Sequence, residues 1–111
     1  MTNCSRTILT TLAVAGLLFC GTAFSTDLLI DVRSEAEYRE SRIDGAINIP
    51  HNEIGSAIQK YEKNLQAPIK LYCRSGRRSA LAKETLEKMG YTRVTNLGGI
   101  DSARKLLKES K

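Results

Sequence analysis

Two spacings of hydrophobic residues alternate along this chain, short apolar runs and helical stripes, and together they predict strands alternating with helices. Asp27 to Val32 (Asp-Leu-Leu-Ile-Asp-Val) is a nearly continuous apolar run, the pattern of a strand buried on both faces. Ser34-Glu35-Ala36-Glu37 has the spacing of a capping box, so a short helix is expected from Ser34 to about Glu40. Ile43-Asp44-Gly45-Ala46 reads as a turn into a brief strand, Ala46 to Ile49, closed by Pro50. Asn52 is positioned to cap a helix in which Ile54, Ala57, Ile58 and Tyr61 recur at helical spacing.

After a loop from Asn64 to Pro68, Ile69-Lys70-Leu71-Tyr72 reads as a short buried strand. A helix follows from about Ser79 to Met89, ended by Gly90. Its Ala82, Leu86 and Met89 form an inward stripe, with Lys83, Glu84, Glu87 and Lys88 outward, and the stripe is core. Tyr91 to Leu97 carries another strand, Gly98-Gly99 a turn, and Ser102 to Leu107 a terminal helix capped by Ser102. The order implies an α/β domain with a parallel sheet covered by helices on both faces. In such sheets, sites open at the carboxyl ends of the strands.

The pattern breaks at the amino terminus. Arg6 precedes an uncharged apolar run, Ile8 to Cys20, and Gly21-Thr22-Ala23-Phe24-Ser25 supplies small residues for processing. This is the layout of a secretory signal peptide over residues 1–25, with cleavage after Ala23 or Ser25. The run falls short of the roughly 20 residues of a membrane span, so no stable membrane association is expected once it is removed. Phe19 before Cys20 argues against a lipoprotein site, and no Arg-Arg pair supports a twin-arginine route. The expected destination is the periplasm, with residues 26–111 forming one small domain.

Removal of that segment changes the cysteine count. Of three cysteines, Cys4 and Cys20 leave with it, so the mature chain keeps only Cys73. An unpaired cysteine in an exported protein is a candidate reactive thiol. Cys73 lies where a strand ends, and Arg74-Ser75-Gly76-Arg77-Arg78 leads into a helix. Backbone N–H groups and the positive end of the helix dipole then point at the sulfur, which favours thiolate. Cations at a helix start are disfavoured by roughly 0.3–1 kcal/mol each. Three arginines packed into so short a stretch therefore suggest an anionic ligand that relieves their repulsion. The net charge of +5 has its densest cluster here, with no nucleic-acid-binding motif, so small anions are the expected partners and nucleic acid is not.

Three stretches together resemble the rhodanese family, and within it the small exported single-domain type. They are Asp31-Val32-Arg33 with Glu37-Tyr38 and Ile43-x-Gly45-Ala46-x-Asn48-Ile49-Pro50; the loop Cys73 to Arg78; and Gly90-Tyr91-x-x-Val94-x-Asn96-Leu97-x-Gly99-Ile100. The resemblance covers about Asp27 to Lys108. It implies a three-layer domain around a parallel sheet of about four to five strands. It also implies a thiosulfate sulfurtransferase without a cofactor, in which Cys73 takes the outer sulfur of thiosulfate as a persulfide and passes it to cyanide or a thiol. By the same resemblance Arg74, Ser75, Gly76, Arg77 and Arg78 form the active-site loop, and Asp31 and Arg33 are its structural support. Two departures stand out: Arg42 replaces a frequent histidine before Ile43, and the leading strand and helix of longer relatives are missing, which favours four strands over five.

Competing readings use the same loop. Phosphatases and arsenate reductases on a related loop place five residues between cysteine and arginine; here Arg78 follows after four, and Tyr72 stands where a histidine often precedes the cysteine. A persulfide carrier that never turns over would use the same residues as the transferase. His51, the only histidine, follows Pro50 in a polar turn and reads as non-catalytic, because the loop already makes the thiolate. One cysteine and one histidine are too few for a zinc site with such ligands. Gly45, Gly76, Gly98 and Gly99 read as turn residues, with Gly76 also letting backbone approach the sulfur.

Overall fold

The structure, a computed structural model, describes residues 27–109. The segment read as a signal peptide lies outside the described residues. Four strands, β1 (Leu28–Asp31), β2 (Ile47–Asn48), β3 (Ile69–Cys73) and β4 (Val94–Gly99), form one sheet in the order β2-β1-β3-β4. Every pairing is parallel. The helices are α1 (Glu35–Glu40), α2 (Ile54–Ala57, prolonged by a 3-10 turn to Lys60), α3 (Arg77–Lys88) and α4 (Ile100–Glu109).

Strand alternation divides the core in two. One face buries Ile30, Val32, Ile69, Leu71 and Cys73 with Ile54 and Ile58 of the α2 segment and Ala82 and Leu86 of α3. The other buries Tyr72 and Leu97 with Ala46 and Ala103, against Tyr38 of α1 and Ile100 and Leu107 of α4. Helices cover both faces, as the sequence pattern predicts. Among the described residues no helix is long and apolar enough to cross a membrane.

The capping box at α1 is present in full: Ser34 Oγ accepts from the Glu37 amide while the Glu37 carboxylate accepts from the Ser34 amide. Two expected caps are not. Before α2 the Glu53 amide donates to the Pro50 carbonyl, and Glu53 is already in right-handed helical geometry, so no side chain caps the helix and Asn52 lies outside it. At α4 the helix begins two residues before Ser102, because Gly98 at φ 89° turns the chain from strand to helix with no intervening loop. The last strand also starts later than the apolar run implies. Tyr91 is a connecting core residue whose hydroxyl donates to the Glu62 carbonyl.

Candidate active site: the Cys73 loop

Cys73 ends β3, a central strand, beside β1, where the sheet order reverses. That is where an open parallel sheet leaves a crevice for ligands. Gly76, at φ 97°, is the N-cap of α3, which starts at Arg77, two residues earlier than helical spacing alone indicates. The left-handed turn folds the loop back over the sulfur, and the Gly76 N–H donates to Cys73 Sγ at 2.8 Å. Ser79, the third residue of α3, points back under the loop with its Oγ 3.4 Å from the same sulfur.

The loop is wedged in place by β4. A Cβ added at Gly99 would fall 2.4 Å from the Arg74 carbonyl oxygen, and one at Gly76 would fall 3.2 Å from Gly98 Cα. Asn96 completes the brace. Its Oδ1 accepts from Ser79 Oγ at 2.6 Å and from the Gly98 amide at 2.8 Å, and its Nδ2 donates to the Gly76 carbonyl at 3.2 Å. Sequence reasoning missed Ser79 as a site residue, and it read the double glycine as a plain turn and Asn96 only as part of a motif. The available signals were the two consecutive glycines, a place for close backbone approach, and a serine six positions after the cysteine.

Burial pushes the Cys73 thiol up, but hydrogen bonds from the Ser79 side chain and from the Ser79, Ser75 and Gly76 amides outweigh it. The net direction is down, toward thiolate. The sulfur is also covered: Cys73 is 0% exposed. The nucleophile lies beneath its own loop.

The three arginines separate. Arg78 is bound bidentately by Glu37 of α1, at 2.8 and 3.1 Å, which clamps the start of α3 to the opposite layer. That guanidinium holds the Glu37 carboxyl at about 2, well below its usual range. Arg74 and Arg77 are exposed, and among the described residues neither is in an ion pair. Asp31 and Arg33 form a buried pair. Arg33 Nε and Nη2 reach both carboxylate oxygens at 2.7–3.1 Å, and Nη2 also donates to the Ser41 carbonyl. A buried pair this well hydrogen-bonded fixes the loop that follows β1.

Among the described residues no cluster of three or more acidic, histidine or cysteine side chains could hold a metal. A cavity of about 710 Å³ lies at the other end of the sheet, where Leu29 and Lys70 near the strand starts face Ile43 and Leu107.

The rhodanese-like domain profile matches residues 20–105. The chain belongs to the rhodanese-like family. It is 39% identical over 89 residues to the thiosulfate sulfurtransferase PspE of Escherichia coli, covering 80% of this chain and 86% of that one. Among solved structures, a rhodanese with anions from E. coli superposes with a TM-score of 0.67 at 40% identity, over 69% of this chain and 91% of its own. The human single-domain sulfurtransferase TSTD1 gives a TM-score of 0.60 at 28% identity, over 77% of this chain and 84% of its own. The four-stranded parallel sheet with helices on both faces is a rhodanese-like fold, and the similarity to PspE supports sulfurtransferase activity.

Proposed function

We propose that the protein is a thiosulfate sulfurtransferase that works through a persulfide on Cys73. The observation that carries this reading is the sulfur itself, lowered toward thiolate with the Gly76 amide at 2.8 Å and Ser79 Oγ at 3.4 Å, in a loop whose exposed Arg74 and Arg77 are in no ion pair among the described residues. Arg74 and Arg77 draw in the thiosulfate dianion and hold the departing sulfite through charge-assisted hydrogen bonds. Arg78, committed to Glu37, braces the loop instead. The Cys73 thiolate attacks the outer sulfur, sulfite leaves, and the loop amides of Ser75 and Gly76 stabilise the persulfide anion. Cyanide or a thiol then removes the outer sulfur. The reading assigns no general base, because the loop's donors favour the thiolate form of the nucleophile. Anions in the solved E. coli rhodanese, which shares 40% of aligned residues, support an anionic donor.

Residues 1–25 act as a cleaved signal peptide, and the domain from residue 26 works in the periplasm. The similarity to PspE supports sulfur transfer as the activity there.

Incubation of the purified protein with thiosulfate and cyanide, with thiocyanate and sulfite measured, tests the assignment. Steady turnover that vanishes in Cys73→Ser, with the variant still folded, is the expected result. A persulfide that forms but never cycles with cyanide or thiols would make the protein a carrier. Cys73-dependent hydrolysis of an aryl phosphate without sulfur transfer would contradict both.

A further inference from the structure

Ser79 Oγ lies within reach of three acceptors and has one hydrogen to give. Asn96 Oδ1 is at 2.6 Å, the Gly76 carbonyl at 3.1 Å and Cys73 Sγ at 3.4 Å. The orientation of the Asn96 amide is fixed by its neighbours: the Gly98 N–H requires an acceptor at Oδ1, and the Gly76 carbonyl requires a donor at Nδ2. Ser79 therefore cannot be a donor to all three at once.

Each acceptor that Ser79 would abandon has another donor. Asn96 Oδ1 keeps the Gly98 amide, and the Gly76 carbonyl keeps both Asn96 Nδ2 and the Ala80 amide at 3.0 Å. The hydroxyl can thus rotate toward the sulfur without leaving a buried acceptor empty, the usual penalty for such a move. It is wholly buried, so no water competes for it.

We propose that the Ser79 hydroxyl is a two-position switch: it donates to Asn96 while Cys73 Sγ is neutral and to Sγ while that sulfur carries negative charge. With a thiol, Sγ–H donates to Ser79 Oγ and the hydroxyl hydrogen rests on Asn96. With a thiolate, the hydroxyl turns to the sulfur. The proposal rests on the sulfur-transfer reading, and its use there follows the charge. In loading, an electron pair on Sγ forms the bond to the outer sulfur of thiosulfate, and sulfite departs with the pair of the broken sulfur–sulfur bond. Charge now sits on the outer persulfide sulfur, Sγ is neutral, and Ser79 returns to Asn96. In unloading, the acceptor's electron pair bonds to the outer sulfur, the Sγ–S bond breaks and its pair returns to Sγ. Ser79 swings back to stabilise the leaving thiolate. No proton is gained or lost in either half.

The test is a pH titration of the Cys73-dependent thiolate absorbance, taken as the difference from Cys73→Ser, which needs no reagent to reach the buried sulfur. Ser79→Ala should raise the midpoint by about one to two units, the loss of one hydrogen bond to a charged group. It should slow single-turnover unloading by cyanide about tenfold or more. Ser79→Thr, which keeps the hydroxyl, should restore both. An unchanged midpoint in Ser79→Ala overturns the switch, and so does a shift that Ser79→Thr fails to reverse. If wild type shows a low midpoint that depends on Ser79 yet takes no sulfur from thiosulfate, the switch stands and the sulfur-transfer reading fails.

Discussion

The inner lining and the outer rim of the Cys73 loop are built on opposite terms. Inside, the groups around the sulfur are buried or backbone, and a chain of hydrogen bonds braces them: Gly76 to Asn96, Asn96 to Gly98, Ser79 to Asn96. Outside, Arg74 and Arg77 are exposed and carry no ion pair among the described residues. The lining is braced because it must favour an anion on one atom: the Gly76 amide is already aimed at the sulfur, and Ser79 needs only to turn its hydroxyl when charge appears there. Free of ion pairs among the described residues, the rim keeps its charge for a ligand, since cations already neutralised by the protein would have little left for one. Arg78 shows what pairing does to a third arginine in the same loop, since Glu37 has turned it into a clamp.

The comparison is most sharply broken by disturbing the lining. Gly99→Ala would drive a Cβ into the Arg74 carbonyl oxygen, a backbone group that cannot swing away as a side-chain tip can. Displacing the loop by about an ångström should slow sulfur loading on the order of 100-fold, read by quenched-flow mass analysis. Loading at the wild-type rate in that variant would mean the lining is not tightly held.

The rim should respond less and differently. Arg74→Ala and Arg77→Ala should each lower kcat/KM for thiosulfate about tenfold through KM, with kcat nearly unchanged, and both effects should shrink as salt rises. A fall in kcat alone would move these arginines from capture into the chemical step.

The smallest effect belongs to the clamp. The Glu37 carboxyl is lowered from 4.5 to about 2, chiefly by its hydrogen bonds to Arg78. A carboxyl depressed on folding stabilises the fold fully above 4.5, and that contribution drains away as pH falls toward about 2. With both side chains partly exposed, the contribution is about 1 kcal/mol. Denaturant melts of wild type and Glu37→Gln should therefore converge as pH drops through that window, and parallel curves would show the pair to be inert.

Much of this was legible in the residues alone. The apolar runs located all four strands, the capping box located α1, and the position of Cys73 at the end of a strand before a glycine turn located the site. What escaped was set by backbone geometry that side-chain pattern does not encode. Gly76 in a left-handed turn starts α3 early enough to bring Ser79 beneath the sulfur, so a two-residue shift in the helix start conceals a donor. Gly98 does the same at α4 and makes Ser102 an interior helix residue. The split among the arginines was equally hidden, because Glu37 lies 41 residues from Arg78 and only the packing of α1 beside the loop joins them. Complete burial of the thiol was equally hidden, and it follows from the same tight wedge between the loop and the two glycines of β4.

Intact mass of the purified protein before and after thiosulfate is the most direct measurement of what the loop is for. The account predicts a gain of one sulfur atom, removed by cyanide and absent in Cys73→Ser. An unchanged mass in a folded protein whose Cys73 is reduced would contradict it.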